Sequence, residues 1–280
     1  MSGTITSLTP ISQIGKTILG IERELYAYSG LTPVYDTAST LNAKYQVAQT
    51  LTPTSLPTIK YFGIGIGGAF NVDNSNLSQP YPVEKVNMDL YQPIPFQMVP
   101  VEQDLTAIER ANYRIRVQKT VNGVTYWCYY LKLLTYNNNT LQVTETNPTT
   151  GLQTPYTLDY ANLNPVQPTV NSSGTVTSAV TEVNVSVTST LLVTGAEVTE
   201  VINILYGGDL RYAKISELGL YSGQDQSIAS TDGNGNAISY TEAVLAQLNV
   251  GYTWLGSDLS NPTASSSFQI VQGSGSLLII

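Results

Sequence analysis

Histidine is missing from this 280-residue chain, and cysteine occurs once, at Cys128. The first absence removes the commonest general base, the commonest metal ligand and the usual partner of a Ser or Cys nucleophile. The second rules out an intrachain disulfide. Charge is scarce as well: 11% of residues are Asp, Glu, Lys or Arg, against roughly 25% in ordinary globular chains. Thr, Asn, Ser and Gln take their place, and 42% of residues are hydrophobic, so a sizeable core is expected rather than disorder. A surface of hydroxyls and amides suits stable assembly, because burying it strips few charges of water. The net charge of −8 speaks against wrapping nucleic acid, which needs clustered Lys and Arg. The closest cationic grouping is Arg110, Arg114, Arg116 and Lys119, with Arg114 and Arg116 expected on the solvent face of a strand. No run approaches 18 apolar residues, so no membrane-spanning helix is expected. No basic stretch followed by an apolar run opens the sequence, so no secretory signal is expected either.

What is present reads as β structure behind a different N-terminal part. Over residues 1–57, Ile14, Ile18, Ile21 and Leu25 recur at intervals of four, three and four, one face of a helix. Pro33, Pro53 and Pro57 punctuate the rest. This part is expected to be a helix-bearing arm, packed on its own domain or docked on a neighbouring subunit. From Ile59 onward β-formers dominate. Tyr113, Ile115 and Val117 alternate with Arg114, Arg116 and Gln118, the period of a half-buried strand. Asn122-Gly123 supplies the residues favoured in a type I′ turn. Closing that hairpin pairs Val121 with Val124, Val117 with Cys128 and Ile115 with Tyr130. Just before it, Thr106 and Glu109 have capping-box spacing for a short helix. Further short strands are expected at Leu141–Glu145, Gln153–Leu158, Glu182–Thr188, Leu191–Val193, Ala213–Leu220, Val244–Trp254 and Ser267–Gln272, while Ala196–Leu205 is ambiguous between strand and helix. The fold class is therefore mainly β: antiparallel sandwich-like or barrel-like domains with a short N-terminal helix-bearing arm. The expected parts are 1–57, a first β-rich domain over 58–165, and a second over 175–280, which could be continuous with the first.

Chemical motifs are thin. Gly63-Ile64-Gly65-Ile66-Gly67-Gly68 contains G-x-G-x-x-G, but a loop follows where the dinucleotide fingerprint needs a helix; close approach of two backbones is the expected use of the glycines. Asp232-Gly233-Asn234-Gly235-Asn236 resembles the start of a calcium loop, yet Ala237 and Ala243 stand where Gly and Glu are needed. A solvated turn is expected there and at Asp73-Asn74-Ser75-Asn76. Carboxylate pairs such as Glu102 with Asp104 lack the marks of a buried acid beside a nucleophile. Neither catalytic residues, nor a metal site, nor a cofactor, nor a small-molecule substrate is expected. The 19 tyrosines suit a saccharide platform or an interface equally. Leu277, Leu278, Ile279 and Ile280 form an apolar run that would be sticky if left exposed. Together with Ile14, Ile18, Ile21 and Leu25 they are the candidate subunit-interface residues.

Two stretches carry a family resemblance. Val99-Pro100-Val101-Glu102-Gln103-Asp104-Leu105-Thr106, continuing through Glu109–Arg116 into the Asn-Gly hairpin and Tyr129-Tyr130-Leu131-Lys132, resembles structural proteins of the neck, tail and baseplate of tailed bacteriophages. Ile215-Ser216-Glu217-Leu218-Gly219-Leu220-Tyr221 resembles the E-[LI]-G-L-[YF] strand and turn of tail-fibre and tail-collar proteins. The resemblance implies a virion subunit made in the host bacterial cytoplasm, forming a ring or sleeve with copies of itself and touching other virion proteins. It also admits a head-attached decoration or a receptor- or carbohydrate-binding module. It implies no catalytic residues.

Overall fold

The computed structural model describes residues 12–49, 55–71, 78–138, 140–147, 150–157, 167, 169–177, 182–232 and 234–273. The described residues open with β1 (Ser12–Lys16), α1 (Ile18–Ser29), a 3-10 turn (Thr37–Ser39) and α2 (Leu41–Tyr45). β2 (Thr58–Gly65), β3 (Ala69–Asn71), β4 (Ser78–Pro80), β5 (Pro93–Ile94) and β6 (Gln97–Pro100) lead to α3 (Ala107–Arg110), β7 (Tyr113–Val121) and β8 (Val124–Leu133). Short strands β9 (Thr135–Tyr136), β10 (Gln142–Thr146), β11 (Gln153–Pro155), β12 (Thr169–Val170) and β13 (Val176–Thr177) precede β14 (Glu182–Thr194). The chain continues with α4 (Gly195–Tyr206), β15 (Lys214–Thr231), β16 (Ala237–Asp258) and β17 (Ser265–Gly273). It is mainly β and antiparallel, as its pattern of short alternating segments indicates.

Two compact units result, one of residues 1–134 with 192–267, the other of 135–191 with 268–280. These units do not coincide with the expected parts 58–165 and 175–280, for which one continuous domain is the alternative. β15 pairs with β2 over Glu217–Gly223, with Glu217 opposite Gly65 and Leu220 opposite Phe62. That ladder welds what were expected to be two domains into one sheet. The N-terminal part joins this unit through β1, which adds to the same sheet with Ile14 opposite Tyr252. α1 therefore starts at Ile18 rather than at Ile14. The four-residue step between these two isoleucines mimics a helical turn although a strand and the cap Thr17 lie between them.

In the larger unit the sheet runs β1-β16-β15-β2-β8-β6, with β5 on β2 and β7 on β8. The central strands are buried on both faces, which is why they read as continuous apolar runs rather than alternating ones. α1 and α2 cover β16. Tyr61, Phe62, Ile64, Phe96, Leu131 and Tyr221 fill the core, with Phe62 and Phe96 edge to face at 5.2 Å. The Asn122-Gly123 hairpin forms in the expected register, Val121 opposite Val124 and Val117 opposite Cys128. Both turn residues take positive φ, 49° and 82°. Ile115 departs from the ladder at φ 55°, a conformation rare for a β-branched residue.

α4 resolves the ambiguous segment. Thr194 and Glu197 form a reciprocal capping box, a T-x-x-E signal already legible in the sequence. The Glu197 carboxylate also receives Lys132 Nζ at 2.7 Å and the Tyr113 hydroxyl at 2.8 Å, anchoring α4 to β7 and β8. The smaller unit is built on the order β11-β10-β14-β17, with β9 also on β14.

Candidate assembly surface

α1 is capped at both ends: the Thr17 hydroxyl oxygen accepts from Gly20 N–H at 3.2 Å, and Gly30 closes the helix at φ 66°. The side turned to the sheet is the small one. A Cβ on Gly20 would lie 2.3 Å from the Asn249 carbonyl oxygen, so the glycine lets the helix rest directly on the backbone of β16. Leu19 is buried beside it. Thr17 N–H and Oγ donate to Asn249 and Leu248 carbonyls at 3.0 and 2.6 Å.

The consequence is an inverted amphipathic helix. Ile18, Ile21, Leu25 and Tyr28 fall within about 80° of arc at 3.6 residues per turn, roughly opposite Leu19 and Gly20, and that arc faces outward. Ile18 is 42% exposed, Leu25 60% and Tyr28 73%; Ile21 is half-buried. Ile14 on β1, and Leu31 and Val34 after the helix, are exposed too. Scattered exposed apolar residues need no explanation, whereas a stripe of them on one helix face marks a contact surface. Of the interface residues expected from sequence, the structure places Ile14, Ile18, Ile21 and Leu25 in this region; Leu277, Leu278, Ile279 and Ile280 lie outside the described residues.

A cleft of about 430 Å³ borders the stripe at Ile18, lined by Leu19, Tyr26, Val34, Tyr35, Leu56 and Met88 among others. Gln247, also on its lining, is buried and donates to Ser39 Oγ at 2.6 Å.

The charged side chains do the opposite of the apolar stripe: several turn inward and tie backbone together. Glu217, fully buried, accepts from Gly67 N–H at 3.0 Å, Tyr91 N–H at 2.7 Å and Gln92 N–H at 2.9 Å. Gly65, Gly67 and Gly68 of the glycine-rich run serve this contact. A Cβ on Gly65 would lie 2.4 Å from Glu217 Oε2, and one on Gly68 would lie 2.0 Å from the Ser216 carbonyl oxygen. Glu242, also fully buried, accepts from the N–H groups of Ile115, Arg116 and Ala243. It thereby joins β7 to β16 and accounts for the positive φ of Ile115, whose N–H must turn out of the ladder. Burial pushes both carboxyls above the ordinary glutamate value, against the opposing pull of these backbone donors. Sequence pattern missed both, although a lone Glu inside an apolar strand run was a legible signal.

Arg114 and Arg116, expected to face solvent, are buried at 5% and 3% exposure. Arg114 Nε donates to Asp225 at 2.7 Å, and Asp225 also receives the Tyr61 hydroxyl. Asp104 gathers Arg110 at 2.8 Å, Arg116 and the Tyr129 hydroxyl. The Arg116 guanidinium stacks 3.3 Å from the Trp127 ring centroid. Trp254 is buried and stacked on Tyr252. Trp254 is thus inside the protein, while Trp127 is half-buried with a ring face covered by the Arg116 guanidinium.

The other motifs resolve locally. Asp232 accepts from Asn234 N–H, Asn236 N–H and the Asn236 amide, so its carboxylate oxygens serve the turn. The Asp73–Asn76 segment lies outside the described residues. Among the described residues no cluster of three or more Cys, Asp or Glu side chains could hold a metal, and no helix is long and apolar enough to cross a membrane.

Fold and surface together define a mainly antiparallel β protein with several of its ionic groups bound into the core and an apolar helix face turned outward. The chain belongs to a family of unknown function, DUF7208, whose family model matches residues 4–274. No curated protein and no solved structure matches it.

Proposed function

We propose that this protein is an architectural subunit of a tailed-phage particle, assembling with copies of itself into a ring or sleeve of the neck, tail or baseplate. The observation that carries the reading is the outward apolar face of α1, Ile18, Ile21, Leu25 and Tyr28, on a helix firmly capped and seated on the sheet. A rigid element presenting such a stripe lowers its free energy by burying it, at about 25 cal/mol per Å² of apolar surface removed from water. The neutral polar surface around it costs little to desolvate, since few ionic groups must be stripped. The inward use of Glu217, Glu242, Asp104, Arg114 and Arg116 deepens that scarcity of surface charge. The resemblance of Val99–Lys132 and of Ile215–Tyr221 to phage structural proteins supplies the particle.

Quantitative mass spectrometry of purified particles from an infected culture tests the proposal. The chain is expected at a fixed copy number relative to the major capsid protein. Its absence from particles, or tight glycan-array binding that depends on Trp127 or Trp254, would refute it, the latter in favour of a recognition module.

A further inference from the structure

We propose that the apolar segment 274–280 of one copy docks in the cleft beside α1 of the next copy, making a head-to-tail contact. This deepens the self-association reading above and rests on it. The cleft is lined by Leu19, Val34 and Met88 together with the charged Glu22, Arg23 and Asp36, and its volume of about 430 Å³ lies in the range of small-molecule pockets, roughly 300–1,000 Å³. One group in it is unmet. The Tyr35 hydroxyl is shielded from solvent and has no hydrogen-bond partner among the described residues. Burial raises its pKa, so it stays a neutral donor and acceptor. An occupant of this cleft therefore needs bulky aliphatic groups and at least one hydrogen-bonding group between them.

A stretch of peptide answers both needs, because every non-proline residue carries a backbone donor and acceptor beside its side chain. The sequence Ser274-Gly275-Ser276-Leu277-Leu278-Ile279-Ile280 provides four consecutive large aliphatic side chains and no charged one. Only Gly and Ser, with small side chains, precede them at 274–276. No other four-residue run of the chain consists wholly of Leu and Ile. Docking it on a neighbour would cover the cleft, meet the Tyr35 hydroxyl with a backbone group and extend contact onto Ile18 at the start of the outward stripe. The contact joins two different surfaces, so each copy keeps one free segment and one free cleft until a ring closes.

Complementation of two full-length variants tests this. One carries Leu278→Asp with Ile279→Asp; the other carries Val34→Asp with Met88→Asp, at positions 79% and 49% exposed, where charge does not threaten folding. Far-UV circular dichroism establishes that both are folded. In sedimentation velocity the unaltered chain is expected as a multimer and each variant alone as a monomer. Their equimolar mixture is expected to give a species of twice the monomer mass, because the intact segment of one fits the intact cleft of the other. Variants that remain multimeric while the unaltered chain is multimeric would overturn the docking and leave self-association standing. Monomeric variants that ignore one another would overturn the docking too, and point to a contact between like surfaces. A monomeric unaltered chain would overturn both proposals.

Discussion

Removing the Glu217 carboxylate should be among the most damaging single changes available, and the cost can be worked from its three bonds. Gly67, Tyr91 and Gln92 N–H groups point at it from 3.0, 2.7 and 2.9 Å. Hydrogen bonds to a charged group contribute about 1.5–3 kcal/mol each, and an orphaned buried donor costs about 1–3 kcal/mol. Glu217→Ala leaves three such donors in a dry site. Water entering the space left by the side chain relieves part of that loss, so about 4–6 kcal/mol is expected rather than the full sum. Glu217→Gln keeps the shape and one oxygen. Placed at the Oε2 position, that oxygen still serves Gly67 and Gln92, while the amide nitrogen meets the Tyr91 N–H donor to donor; about 1–3 kcal/mol is expected. These losses compare with roughly 5–15 kcal/mol for the stability of a typical domain. Urea unfolding at neutral pH, followed by circular dichroism and extrapolated linearly, gives the values. Glu24→Ala, which breaks the exposed Lys16–Glu24 pair at 2.6 Å, serves as the comparison at about 0.5 kcal/mol or less. If Glu217→Ala falls within about 1 kcal/mol of the unaltered chain, the carboxylate is not holding the 66–68 and 91–92 segments and the reasoning fails.

Further outcomes follow from the same groups. The folded pKa values of Glu217 and Glu242 lie above the unfolded one, so the folded chain keeps protons that the unfolded chain has released. Their combined contribution is fully present below the unfolded glutamate pKa and is lost as pH rises through the folded values; Glu217→Gln should flatten that fall in urea titrations run from pH 4 to 7. Asp104→Ala leaves Arg110 and Arg116 buried without their shared carboxylate and should cost about 3–5 kcal/mol by the same assay. Gly68→Ala cannot be accommodated without moving the Ser216 carbonyl, 2.0 Å from the new Cβ, and should lower the melting temperature in differential scanning fluorimetry by several degrees at least. Burial pushes the Cys128 thiol up to about 12, so Ellman's reagent should label it only after denaturation; rapid labelling of the native chain would contradict its placement.

Local features of this fold were legible in the sequence, and distant ones were not. The Asn122-Gly123 hairpin and the Thr106–Glu109 box are settled by residues within a few positions of each other, and both form as their spacing indicates. Alternation along Tyr113–Val117 distinguishes two faces but cannot say whether both are covered. The partners that bury Arg114 and Arg116, namely Asp225, Asp104 and Glu242, include residues more than a hundred positions away. The same distance hid the β2–β15 ladder, which joins residues 58–65 and 217–223 in one sheet. In the candidate surface, helical spacing put Ile18, Ile21 and Leu25 on one helix face but could not tell that the face points outward. Gly20 held that information: the one residue without a side chain is where the helix can touch the sheet.

Native mass spectrometry of the full chain over a tenfold range of concentration tests self-association most directly. One discrete closed oligomer, persisting on dilution and lost on substituting Leu25 by Asp, is the predicted result. A spectrum of monomer alone at every concentration would contradict it.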